Sequence, residues 1–167
     1  MAGLRIRALE LDDVELMYDI ENDTSLWHLG SANVPYSHLI LRDFVMNTTG
    51  DIYTDKQARL VIENDDRHVV GMVDLTDFSP KNLRAEVGIV ILSEFQGYGY
   101  ATEAIRQIGE YAKEVLQLKQ LYAYIDVDNE ICKRAFHNNG YQAVATIDKW
   151  MRQGDMWRDV VMMQKIF

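Results

Sequence analysis

Apolar and polar residues alternate over positions 4–9, the period of a half-buried strand. Asp12 and Asp13 then stand as N-caps for a helix to about Asn22, with Val14, Met17 and Ile20 on one face. A second helical stretch, 24–47, is interrupted at Gly30 and Pro35, and Ser37 caps its remaining piece, 39–46. After a polar stretch, the runs 58–63 and 68–77 flank the turn Asn64-Asp65-Asp66-Arg67 and predict a hairpin. A turn at 78–82 leads to a third strand, 84–92. Its nearly continuous apolar run from Val87 to Leu92 predicts cover on both faces. Ala101, Ile105, Ile108, Ala112 and Val115 then step at helical spacing. A strand at 120–127, a helix at 129–139 ended by Gly140, and a strand at 141–147 follow. The chain closes by pairing 149–151 with 157–167 across Gln153-Gly154-Asp155. This order predicts one domain over residues 1–167, an α/β domain of the α+β type. Its sheet is mixed, mainly antiparallel and of about seven strands, with helices on both faces.

Composition narrows the function without naming it. In 167 residues, 48% are hydrophobic and 26% charged, as in ordinary globular proteins. No run approaches the ~20 apolar residues of a membrane span, and the first ten residues lack the apolar core of a secretory signal. The one cysteine, Cys132, forbids an internal disulfide, and the four histidines show no ligand spacing, so no metal is expected. A cytoplasmic location follows. Seventeen basic against 26 acidic residues give a net charge of −9, which excludes a phosphate-neutralising nucleic-acid binder and suits a cationic partner.

The chemistry concentrates in Gln96-Gly97-Tyr98-Gly99-Tyr100-Ala101-Thr102, between an apolar strand and the start of an amphipathic helix. A first helical turn carries unpartnered N–H groups and partial positive charge, and glycines let an anion approach the backbone. No Gly-Lys-Ser/Thr is present for a Walker A loop, and the third glycine of a dinucleotide fingerprint is missing. Gln96-x-x-Gly99-x-Ala101 fits instead the loop Gln/Arg-x-x-Gly-x-Gly/Ala, which cradles a pyrophosphate without lysines. A glycine turn with no ligand is the plain alternative.

With this loop, the opening strand, and the segments Asp128-Asn129-Glu130 and Phe136-His137-Asn138-Asn139-Gly140-Tyr141, the sequence resembles the GNAT superfamily of N-acetyltransferases. Within it, Arg84-Ala85-Glu86 and Leu121-Tyr122-Ala123-Tyr124-Ile125 read like polyamine acetyltransferases, with ribosomal-protein N-terminal acetyltransferases as neighbours. The resemblance implies acetyl-CoA as co-substrate, held by Gln96, Gly97, Tyr98, Gly99, Tyr100, Ala101 and Thr102, with the pantetheine arm along Ile89, Val90 and Ile91 and a contact from Asn129. Capping the next helix is the other role open to Asn129. Lys133 and Arg134 are candidates for the adenosine phosphate, or plain surface charges.

Acetylation of an amine requires removal of a proton, because an alkylamine of pKa near 10.4 is cationic at neutral pH. Glu86 is the candidate base, sharing a strand face with the side-chain-free Gly88. In the polyamine enzymes a tyrosine acid stands four residues before the glycine of the Gly-aromatic pair; here that residue is Phe136. Either the thiolate leaves unassisted, as a thiol of cysteine-like pKa allows, or Tyr98, Tyr100, Tyr124 or His137 serves as acid, Tyr98 being the one taken as candidate. Glu21, Trp27 and Tyr36 would line the acceptor pocket together with Glu86. The expected acceptor is a small cationic amine such as a diamine or polyamine, and family habit implies a homodimer or larger homo-oligomer. A protein N-terminal acetyltransferase and a non-catalytic acyl-CoA sensor, suggested by Phe136, are the competing readings.

Overall fold

Seven strands form one sheet in the computed structural model, which describes residues 3–26 and 33–167. They are β1 (Leu4–Ala8), β2 (Ala58–Asn64), β3 (Val69–Ser79), β4 (Arg84–Ile91), β5 (Gln120–Asp126), β6 (Gln142–Gln153) and β7 (Met156–Ile166). The order across the sheet is β1-β2-β3-β4-β5-β7-β6. Each neighbouring pair is antiparallel except β4 with β5. This is the mixed, mainly antiparallel sheet expected from the order of strands and helices.

The α-helices among the described residues are α1 (Val14–Glu21), α2 (His38–Asn47), α3 (Ile52–Asp55), α4 (Tyr100–Glu114) and α5 (Glu130–His137). Val14 and Met17 of α1 and Leu41 of α2 bury against Met72 of β3. Met72 opposes Val90 on β4, and strand alternation puts Glu86 on that same face. The opposite face carries the main core, where Ala104, Ile105, Ile108 and Ala112 of α4 and Phe136 of α5 meet Val73, Leu75, Ala85, Val87 and Leu121. Complete burial of Ile105 and Ile108 contributes roughly 2–3 kcal/mol each.

Several expectations change in detail. Val115, placed in the apolar stripe of α4, is 63% exposed because the helix ends there and the chain turns into β5. The helix expected from the Asp12–Asp13 cap does have Asp13 at its N-cap position, without a side-chain cap bond, and it follows directly on a 3-10 turn at Leu11–Asp13. Glu10 occupies the cap of that turn, and Asp13 accepts the Glu10 N–H at 2.8 Å. Ser37 does cap α2, accepting from Ile40 N–H at 3.2 Å. Asp51 caps the short α3, which falls in the stretch read only as polar. The two segments 141–147 and 149–151 form one strand, β6, preceded by the buried Tyr141. A shifted register between Ile147 and Met151 lets it run through what looked like a break.

Candidate active site

The site begins where β4 loses β5. The parallel ladder joins Arg84 to Gln120, Ala85 to Leu121 and Glu86 to Tyr122, and goes no further. Beyond Glu86 the strands part, and β5 is held by β7 alone up to the pair Asp126–Val160. Residues Gly88 to Ile91 are accordingly half-buried, although the apolar run predicted cover on both faces. On its other edge, the Leu92 N–H donates to Val70 C=O at 2.9 Å. Alternation therefore turns the N–H groups of Ile89 and Ile91 into the gap, and that of Val90 toward β3. The Ile91 C=O accepts from Gln96 Nε2 at 3.0 Å, so Gln96 pins the following turn to the mouth of the gap.

That turn needs its glycines. Gly97 and Gly99 adopt φ of +85° and +84°, values open to glycine and strained for other residues. A Cβ at either position would meet no atom within 4 Å, so backbone conformation and not crowding selects them. Gly99 is the N-cap of α4, and its carbonyl already receives the Glu103 N–H at 3.1 Å. The preceding N–H groups of the first turn, from Tyr100 to Thr102, lack helical partners, as an anion cradle requires. Tyr98 is 66% exposed at the turn, its ring 6.1 Å from that of Tyr100.

Glu86 sits at the point of divergence, opposite Thr76 of β3 and Tyr122 of β5. Burial raises its pKa, and the negative charge of Asp77 adds to the rise. Gly88, two residues on, leaves open space over the strand: a Cβ there would touch only Asp74 Cβ, at 3.9 Å. Two neighbours of Glu86 were not singled out from sequence. Asp77 lies in an irregular stretch of β3 with φ +46°, and its carboxylate accepts a short hydrogen bond from the Tyr122 hydroxyl. Burial and that bond push the Tyr122 phenol well above its ordinary pKa. Asp77 and Tyr122, with Arg84, Gln120, Tyr124, Met162 and Gln164, line a recess of about 400 Å³. Tyr124 packs against Trp150 with ring centres 5.4 Å apart and planes tilted by 30°. Only the bulge brings Asp77 here, and strand alternation alone does not place it.

The other expected residues are placed as follows. Asn129 Oδ1 accepts the Cys132 N–H at 3.1 Å and so caps α5, at the end of β5 beside the gap. Lys133 donates to Val127 C=O and to Glu130, both at 2.6 Å, which commits its ammonium to the protein; Arg134 is exposed. Phe136 is buried edge-on to Tyr141 at 4.9 Å, a core residue. Burial lifts the Cys132 thiol to about 11, leaving it unreactive. Glu21 pairs with Arg59, which also holds Asp74 at 3.0 Å, so its carboxylate is already engaged. Tyr36 is tied through its backbone N–H and C=O to the Asn22 amide, at 2.8 and 3.0 Å. Trp27 and His28 lie outside the described residues. No cluster of His, Cys, Asp or Glu able to hold a metal occurs among the described residues.

The decisive comparison is with protein families: the acetyltransferase (GNAT) domain profile matches residues 3–142. The chain belongs to the GNAT acetyltransferases. It is an acetyl-CoA-dependent N-acetyltransferase. Spermidine N(1)-acetyltransferase of Escherichia coli K12 is 28% identical over 139 residues, 83% of this chain and 73% of that protein. YdaF of Bacillus subtilis, named for ribosomal N-acetyl transfer, is 31% identical over 76% of this chain and 71% of its own length. The crystal structure of Vibrio cholerae spermidine N-acetyltransferase in complex with CoA and spermine superposes with TM-score 0.86 at 23% identity, covering 98% of this chain and 95% of that one. No helix among the described residues is long and apolar enough to cross a membrane.

Proposed function

We propose that this acetyltransferase acts on a primary amine of a small cation, a diamine or polyamine, by direct attack in the gap between β4 and β5. The observation that carries the reading is Glu86, a carboxylate of raised pKa placed where the two strands separate. Acetyl-CoA supplies the activated acetyl group. The N–H groups from Gly99 to Thr102 hold its pyrophosphate, and Gln96 fixes their turn against Ile91. Ile89 and Ile91 offer cleft-facing N–H groups to the pantetheine arm and to the acetyl carbonyl, where they stabilise the charge that develops on oxygen. Val90 contributes its side chain alone. Asn129 keeps its Nδ2 donors for the coenzyme while its Oδ1 caps α5.

Glu86 removes one proton from the incoming ammonium, directly or through water; the freed amine forms the C–N bond as the C–S bond breaks, and the second proton shed by that nitrogen goes to the departing thiolate. A thiol of pKa about 8.5 leaves as thiolate without a strong acid. Tyr98, at the turn, is the hydroxyl proposed to return a proton there, and the buried Phe136 is then no obstacle to turnover. Asp77 beside Glu86 gives the acceptor face a second carboxylate, and Tyr122, Tyr124 and Tyr36 give it aromatic walls suited to an alkylammonium. Glu21 acts on this face through its pairing with Arg59.

The spermidine-acetylating relatives support this substrate class. Supply of acetyl-CoA supports a cytoplasmic setting. Assembly of several copies is the expected state, as a Vibrio cholerae spermidine N-acetyltransferase is dodecameric. The similarity to YdaF favours one other acceptor, a protein N-terminus. A thiol-release assay with acetyl-CoA and a panel of diamines, polyamines and a free-N-terminus peptide decides between them. Release with the polycations supports the proposal, release with the peptide alone supports the second reading, and none with any amine overturns both.

A further inference from the structure

The parting of β4 and β5 creates a mechanical problem that one side chain answers. From Ala123 onward β5 has no hydrogen-bonded neighbour on the β4 side, yet its last residues must present the turn to α5 beside the coenzyme. Arg158 of β7 reaches across that turn. Its Nε and Nη2 donate to the two carboxylate oxygens of the buried Asp126, both at 2.8 Å, and Nη2 also donates to Asp128 Oδ2 at 2.6 Å. Asp126 Oδ1 in turn accepts the Asp128 N–H at 2.8 Å, and Val127 N–H donates to Asp159 C=O at 3.2 Å. The Asn129 N–H closes the turn on Asp126 C=O at 2.9 Å. A planar guanidinium bound in bidentate fashion fixes orientation as well as distance, which an ammonium does not.

We propose that Arg158 is a positioning residue for coenzyme binding: it clamps residues 126–129 so that Asn129 and the first turn of α5 face the gap in register with the turn Gln96–Gly99. It touches neither substrate and acts through Asp126 and Asp128. This inference rests on the proposed coenzyme contact of Asn129.

Full-length Arg158→Met and Arg158→Lys, and Asp128→Asn, are compared with the parent by steady-state kinetics and by calorimetric titration with CoA. Arg158→Met is expected to raise the KM for acetyl-CoA about tenfold, with kcat and the amine KM within twofold. Arg158→Lys restores part of the loss because one Asp126 contact survives. Asp128→Asn keeps the buried pair, and so the fold, and raises the acetyl-CoA KM about threefold. A lowered melting temperature with an unchanged acetyl-CoA KM in the folded variants, or in Asp128→Asn if Arg158→Met does not fold, overturns the inference alone. A parent protein that fails to bind CoA overturns the inference together with the functional reading.

Discussion

At the scale of single residues, the proposed chemistry depends on how a half-buried carboxylate is tuned. Glu86 loses hydration against β5 and feels Asp77, so its protonated form is favoured relative to an exposed glutamate. As a base it must be ionised. The kcat/KM of the parent should therefore fall as pH drops through the raised pKa, at higher pH than an unperturbed carboxylate would give. Glu86→Gln should cut turnover by roughly 10²–10³ and abolish that acid limb. Its CoA affinity should stay within twofold, since the diphosphate cradle proposed above is Gly99 to Thr102. Stability should move the opposite way. A carboxyl whose folded pKa is raised destabilises the fold above its unfolded pKa, so at neutral pH the Gln variant should melt higher than the parent. Retained turnover in Glu86→Gln at pH 7 would remove Glu86 as the base. Asp77→Asn separates the two effects: relieved of that neighbour, Glu86 titrates lower and the acid limb shifts to lower pH.

At the scale of elements, the turn into α4 is the part on which the proposed coenzyme binding rests. Valine at position 99 must hold φ near +84°, which costs about 1–2 kcal/mol before any effect of its branched Cβ. The backbone escapes this strain by rotating, and the N–H groups from Gly99 onward turn with it. Gly99→Val should therefore lose more than tenfold in CoA affinity by calorimetry, although open space surrounds the position. Affinity equal to the parent's would show that another element holds the diphosphate. This turn was readable in the sequence because two glycines between an apolar strand and an amphipathic helix carry a local signal. The strands were readable from their apolar–polar alternation, and the GNAT order from the family resemblance. The parting of β4 from β5 was not, because an apolar run has the same pattern whether its neighbour stays paired or leaves. Nor was Asp77, which reaches the site through an irregular stretch of β3 that breaks the period of two. Phe136 shows the converse: its position in a family pattern pointed to the site, and its apolar side chain packs in the core.

For the whole molecule, the two faces of the sheet are secured by different means. The α4 face has the larger apolar core, whereas the face bearing Glu86 is covered by α1 and α2 over a small cluster around Met72. Polar clamping at the sheet edge adds to that small cluster. Arg7 of β1 donates to Asp13 at 2.8 and 2.9 Å and to Glu63 of β2 at 2.5 Å, and Arg5 adds a bond to Glu63 at 2.6 Å. These bonds join the start of α1 to the first two strands, and so hold the acceptor-side helices in place. Burial disfavours the charged form of Asp13, but the Arg7 bonds and the Glu10 N–H outweigh it and hold its pKa below the usual value. Glu63 is lowered chiefly by Arg7, then by Arg5. Arg7→Met leaves a buried Asp13 carboxylate without its cation, a loss of about 3 kcal/mol that lowers the melting temperature by roughly 6–12 °C at pH 7. Both carboxyls have depressed folded pKa values, so their contribution is present above the unfolded pKa, near 4, and is lost as pH falls through the folded values. The gap in melting temperature between parent and variant should accordingly narrow below pH 4 and be widest at neutral pH. A gap that stayed constant between pH 7 and pH 3 would mean that Arg7 contributes by packing its stem, with the ion pairs adding nothing.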